Sequence, residues 1–212
     1  MNPFTHTLLC CALLFLTLQE LTEACSCAIS HPQQQFCNTD TVVRAKVIGE
    51  KLIPSTDSFD STIQYEIKVI KIFKVFEKMT DIHYVYTSSE SSVCGVRLEW
   101  ANKTEYILGG SIYDGRVRIN LCGLVSTWDS LSPFQVKSLT QPHLGYQQGC
   151  ACKIKFCPME GCDSNTQDLE CTWTDWQITE TLQKQHACIK RRGGTCNWYP
   201  TIADKSIHTS HP

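Results

Sequence analysis

The sequence predicts a mainly β protein with short helices, in which a small closed sheet of five strands is followed by a disulfide-rich C-terminal unit. Three observations carry that prediction. Five runs rich in β-branched and aromatic residues are bounded by turn formers. The longest run changes its in-out phase midway, as a strand does when its sheet curls. Cysteines crowd after residue 150, as they do where a piece of chain is too small to bury an adequate core.

Taken in order, residues 7–18 (TLLCCALLFLTL) have the length of a signal-peptide apolar core and are too short to span a bilayer. Small residues at Thr22 and Ala24 place a cleavage between Ala24 and Cys25, although residues 1–6 lack the usual Lys or Arg. The predicted organisation is a cleaved signal peptide over 1–24, one domain over 25–150 and a second over 151–212, with a tail from 201 that has no periodicity and is expected to be mobile. Helices are expected at His31-Pro32, with Pro32 in the first turn, and at Ser132-Pro133, with Ser132 as cap. Strands are expected over 41–48, 62–76, 81–87, 105–108 and 116–121.

Within the second strand Ile63, Tyr65, Ile67 and Val69 alternate with Gln64, Glu66 and Lys68, and then Ile70 and Ile72 take the opposite parity. That slip predicts a β-bulge, or a strand whose ends face different surroundings. Gly109-Gly110 and Asp114-Gly115 read as turn signals between the last two strands, spaced too far apart for a two-residue hairpin.

A formal net charge of -2 and a pI near 6.4 give no basic footprint for nucleic acid. Metalloprotease, serine-hydrolase and phosphate-loop motifs are absent, which moves weight from enzyme to binding protein. Of 14 cysteines, Cys10 and Cys11 fall in the signal peptide, and the even remainder reads as a disulfide framework of up to six bridges. Zinc ligation by pairs such as Cys150 and Cys152 or Cys157 and Cys162 is disfavoured by their irregular spacing.

The sharpest feature is the new terminus, Cys25-Ser26-Cys27-Ala28. Two bridged cysteines there would clamp the terminal amine to the body of the protein. A neutral α-amine and the carbonyl of its own residue form a five-membered chelate on a metal, and a protease's catalytic zinc keeps an open position.

The start CSCAISHPQQQFC, the segments RAKVIGEK and QYEIKVIKIFK, the SSVCGV loop, and CTWTDW and CNWY together resemble the tissue inhibitors of metalloproteinases over nearly all of the mature chain. The resemblance implies a five-stranded OB-like barrel, the netrin-like module, before a smaller disulfide-rich domain. It also implies the bridges Cys25–Cys94, Cys27–Cys122, Cys37–Cys150, Cys152–Cys196, Cys157–Cys162 and Cys171–Cys188. By position it puts the amine and carbonyl of Cys25 on the zinc of a bound protease, a metal shared with the partner, since no cofactor of its own is implied. Ser26 would enter the specificity pocket, Cys27, Ala28 and Ile29 would continue along the cleft, and Ser91, Ser92 and Val93 would form a second edge.

The implied partners are matrix metalloproteinases and related membrane-anchored zinc proteases, met in the extracellular space or matrix. Ile29 stands where most members have proline. Proenzyme docking through the C-terminal domain would lack the acidic tail of some members, because Asp204 is the only acid in the last ten residues. The same module used as an extracellular adaptor would tolerate residues before Cys25, whereas a chelator would not. Asn102-Lys103-Thr104 is a glycosylation sequon in a polar stretch. Trp173, Trp176, Trp198 and Tyr199 are expected to pack the second domain rather than form a partner patch.

Overall fold

The computed structural model describes residues 25–55, 61–75, 81–141, 145–157, 169–173 and 176–200. Residues 1–24, where a signal peptide is expected, the tail from 201, Cys162 and the side chain of Trp176 lie outside the described residues. No helix among the described residues is long and apolar enough to cross a membrane.

Helix α1 (Pro32–Asn38) leads into β1 (Thr41–Ile53), β2 (Thr62–Lys74), β3 (Tyr84–Ser88), β4 (Glu105–Tyr113), β5 (Arg116–Arg118) and β6 (Val125–Thr127). Helices α2 (Pro133–Thr140) and α3 (Tyr146–Gly149) follow, then β7 (Lys153–Phe156), β8 (Glu170–Trp173), α4 (Trp176–Gln185), β9 (Ala187–Lys190) and β10 (Cys196–Tyr199). The sheet runs β1-β2-β3-β5-β4 and closes through β4 on β1, with β6 added on β4. A ring of five strands has no free edge between its members. Its interior holds Val43, Ala45, Val47, Ile63, Tyr65, Ile67, Val85 and Leu108, the inward-facing residues of the alternation.

The phase slip in β2 is a bulge: Ala45 pairs with Val69 and Arg44 with Lys71, so Ile70 is skipped in the register. Past it, Phe73 leaves the barrel interior and packs against a second cluster built on Phe36, Val42, Ile107 and Tyr146. Two sequence expectations are corrected. Gly109 and Gly110 lie inside β4 and form no turn. A Cβ there would come within 2.9 Å of Leu124 and 2.5 Å of Val117, so the glycines let neighbouring chain approach closely. With β4 extended to Tyr113, Asp114-Gly115 becomes a two-residue hairpin whose residues both have positive φ, 51° and 68°. Strand β6 and helices α3 and α4 were not expected from the sequence.

Both predicted helices start at their prolines, capped by His31 and by Ser132. The cap of α1 also ties the two parts of the chain together. His31 Nδ1 accepts from Gln33 N at 3.1 Å, which leaves Nε2 to donate to the Leu182 carbonyl at 3.0 Å. Gln33 Nε2 donates to the carbonyls of Gly149 and Cys188 at 2.9 and 2.8 Å, and its Oε1 accepts from Cys188 N at 2.8 Å. Gln34 reaches the Ile154 carbonyl at 2.8 Å. Apart from Gly149, near the end of the first unit, the backbone groups these side chains satisfy belong to the C-terminal unit, and buried ones would otherwise cost about 1–3 kcal/mol each.

Burial lowers the His31 pKa from 6.5 to about 4, against a smaller opposing effect of the Leu182 hydrogen bond. The folded protein therefore resists protonating a side chain that the unfolded chain protonates readily. This contribution to stability is complete above pH 6.5 and is lost as pH falls from 6.5 toward 4. Chemical denaturation should show a loss of up to about 3 kcal/mol over that interval beyond the background of a His31→Asn variant. Identical pH profiles for the two proteins would contradict the assignment.

Candidate functional site

The segment from Cys25 to Ser30 has no regular structure, and Ser26, Cys27, Ala28 and Ile29 are all exposed. Two bridges hold it: Cys25–Cys94 and Cys27–Cys122, with Cα atoms 5.1 and 5.2 Å apart. The bridges lie side by side, Cys122 Sγ being 3.6 Å from Cys94 Sγ and 3.7 Å from Cys25 Sγ. A segment bridged at alternate residues has little freedom left at its first residue.

The second strip is a single 3-10 turn, Ser91–Val93, with all three side chains exposed. Its geometry follows from three local features. Glu90 N is held by Ser88 Oγ at 2.9 Å, and the Glu90 carbonyl accepts from Gly95 N at 3.0 Å. Cys94 takes a left-handed conformation, φ 63°, which turns the chain so that its side chain meets Cys25. Gly95 lies directly under the carbonyls of Ser88 and Glu90, where any Cβ would collide. Val93, 56 % exposed, stands in solvent beside the first strip although it is apolar.

All eight residues assigned from the resemblance as protease contacts therefore belong to one ridge, joined through Cys25–Cys94. Beside this ridge the structure places Leu121, not singled out from the sequence, which is 55 % exposed, precedes Cys122, the partner of Cys27, and donates its N–H to the Cys94 carbonyl at 2.9 Å.

The remaining described bridges are Cys37–Cys150, Cys152–Cys196 and Cys171–Cys188. Cys157 is also disulfide-bonded. Two groups of sulfurs lie within 4.8 Å of one another, Cys25, Cys27, Cys94 and Cys122 and then Cys152, Cys188 and Cys196. Every one of them is oxidised in a bridge, so none is a thiolate metal ligand. What Cys25 retains for a metal is its backbone nitrogen and carbonyl oxygen.

Trp173 is fully buried, in edge contact with Phe156 and His31. Trp198 donates to the Thr172 carbonyl at 3.1 Å, and Tyr199 packs near Phe134. These three aromatics are packing residues. Asn102 of the sequon is exposed on the loop before β4.

The family model for tissue inhibitor of metalloproteinase matches residues 23–198. The chain is 45% identical to Metalloproteinase inhibitor 2 of Homo sapiens over 196 residues, 88% of this chain and 86% of that protein. It is 46% identical to Metalloproteinase inhibitor 4 of Mus musculus over 185 residues, covering 84% and 81%. Against Metalloproteinase inhibitor 2 of Gallus gallus it is 44% identical over 201 residues, covering 91% and 89%.

If Cys25–Cys94 fixes the ridge, a Cys25→Ser/Cys94→Ser variant should lose roughly 2–4 kcal/mol. Amide exchange should accelerate at Ser26–Ile29 and Ser91–Gly95 while β1, β2 and β4 keep their protection. Unchanged exchange in both strips would contradict the role given to this bridge.

Proposed function

The chain belongs to the tissue inhibitor of metalloproteinase family and is an inhibitor of metalloproteinases, not an enzyme; we propose that it disarms matrix metalloproteinases by presenting the amine and carbonyl of Cys25 to their catalytic zinc. The observation that carries this reading is the double clamp on Cys25 and Cys27, which holds an exposed terminus against a rigid barrel. Since Cys25 Sγ is bonded to Cys94, the chelating atoms are those of the backbone.

Removal of residues 1–24 creates the free amine and accompanies secretion to the extracellular space or matrix. The chelate occupies the position that the protease's hydrolytic water needs. Ser26 points a small hydroxyl into the pocket beside the metal, where a larger side chain would overpack. Cys27, Ala28 and Ile29 lie along one side of the cleft, and Ser91, Ser92 and Val93 along the other. Pre-ordering by disulfides removes most of the ordering cost that weakens flexible binders. Such an interface buries on the order of 1,200–2,000 Å². Membrane-anchored zinc proteases of related cleft geometry are further targets, and Asn102, exposed on the loop before β4, carries a glycan.

Inhibition of a matrix metalloproteinase catalytic domain by protein beginning at Cys25, compared with protein carrying one additional alanine before it, tests the chelate. Extension should abolish tight inhibition. Equal inhibition by both forms would move the binding surface elsewhere, and no inhibition by either would favour the adaptor use of the fold.

The amine, with a reference pKa of about 7.7–8.0, must be neutral to bind a metal. Inhibition should therefore weaken progressively below neutral pH, after correction for titration of the enzyme. Equal inhibition constants at about pH 5.5 and about pH 8 would count against an amine ligand.

A further inference from the structure

The outer wall formed by β3, β5 and the end of β4 has a composition unlike the rest of the barrel. Val85, Thr87, Val117 and Ile119 point inward, so Tyr84, Tyr86, Arg116 and Arg118 point out, joined by Tyr113 of β4. Register places Tyr86 beside Arg118 and Tyr113 opposite Arg116. The Arg116 guanidinium lies 5.2 Å from the Tyr86 ring centre and that of Arg118 lies 5.4 Å from the Tyr113 ring. Gln64 donates to the Tyr86 hydroxyl at 2.8 Å, fixing that ring. Among the described residues neither arginine has a carboxylate within ion-pair distance. Both are pre-ordered on aromatic faces with their N–H edges unclaimed by an acid.

Tyrosine and arginine are the residues enriched where proteins bind proteins, and Tyr113 and Tyr84 are 68 % and 43 % exposed. A shallow groove of about 150 Å³ runs between Tyr84, Tyr86 and Arg116. The wall is continuous with the ridge. Strands β3 and β5 run parallel and deliver the chain to Ser91–Val93 and to Leu121-Cys122, and the Ile119 N–H donates to the Tyr86 carbonyl at 2.8 Å.

The four steps of chain from Arg118 to Cys122 span at most about 14 Å. A standard-sized interface covers about 800 Å² per partner, a disc of roughly 16 Å radius. Centred on the ridge, that disc takes in the Tyr86 and Arg118 row and reaches toward the Tyr84 and Arg116 row. The wall's acids, Glu66, Asp81 and Asp114, share the Tyr84 and Arg116 row or lie beyond it, the Tyr86 and Arg118 row carries none, and exposed Glu90 stands between β3 and the ridge turn. Glu66 stands opposite Tyr84, Asp81 precedes β3 and is paired with His83, and Asp114 is in the β4–β5 turn.

We propose that this wall is a second contact for the inhibited protease, in which Tyr86, Tyr113, Arg116 and Arg118 meet an acidic strip at the rim of the zinc cleft and set which metalloproteinases are captured fastest. The inference rests on the proposed inhibitory ridge. Exposed arginines at a rim act through steering, so their effect belongs to the association rate and weakens with salt.

The test is the Arg116→Ala/Arg118→Ala double variant, measured against matrix metalloproteinase catalytic domains whose cleft rims range from acidic to neutral. At about 50 mM salt the association rate should fall about 5- to 20-fold for acidic rims and stay unchanged for neutral ones, and the gap should narrow at about 300 mM. The melting temperature should not move, since both side chains are exposed. Replacing Tyr113 by p-benzoylphenylalanine should give a photo-cross-link to an acidic-rimmed domain. Unchanged association for every domain with wild-type inhibition intact, an equal loss for all rims, or no cross-link overturns the second contact. Absence of inhibition by the wild type overturns instead the function on which it rests.

Discussion

Two adjacent disulfides at one end of the barrel are the constraint on which the rest of the account depends. Cys25–Cys94 and Cys27–Cys122 hold the segment that becomes the chain terminus on the proposed removal of residues 1–24, ordinarily the most mobile part of a protein, as a fixed edge of a closed sheet. The loops they close span 69 and 95 residues of sequence, so the terminus is tied to β3 and to the chain after β5 at once. The left-handed Cys94 and the crowded Gly95 then fix the facing turn. A binder assembled this way arrives at its target with little conformational entropy left to lose.

Order at the ridge is reinforced from below by α1. That helix begins a few residues after the bridged segment, and its polar residues are spent mostly on the other part of the chain. His31 holds Leu182, Gln33 holds Gly149 and Cys188, and Gln34 holds Ile154. Ala187 and Ile189 of the C-terminal unit share a core with Phe36, Val42 and Ile107 of the first. The two units described by cysteine spacing are therefore packed together through both apolar contacts and a satisfied polar network. One tautomer of His31 serves both as helix cap and as donor across this contact, which is why its neutrality matters to stability.

Much of this was legible in the sequence because it rests on local rules. The alternation of Ile63, Tyr65 and Ile67, the prolines after His31 and Ser132, and the phase slip at Ile70 each have a short-range cause and each appears in the fold. What misled was the reading of glycine. At Gly109 and Gly110 the reason for glycine is close approach by Leu124 and Val117, which only the closed barrel creates. The short β6 carries no alternation long enough to detect, and it pairs with Tyr106–Leu108 of β4, the stretch before the one that β5 takes at Ser111–Tyr113. The terminal Cys-x-Cys, the Ser91–Val93 turn and the Cys25–Cys94 bridge that joins them came through the resemblance, because spacing does not encode a long-range pairing, and the place of Leu121 beside them came only from the fold. The stacked arginines of the barrel wall were likewise invisible, since Tyr86 and Arg118 meet only through a parallel pairing of distant strands.

The central claim is that the terminal residue itself becomes a ligand of the protease's metal. The most direct measurement is the visible absorption of a cobalt-substituted matrix metalloproteinase catalytic domain titrated with protein beginning at Cys25. A chelate through nitrogen and oxygen raises the metal from four to five ligands, and the d–d bands should weaken and shift in step with inhibition. A spectrum unchanged at full inhibition would show that the protein blocks the cleft without touching the metal.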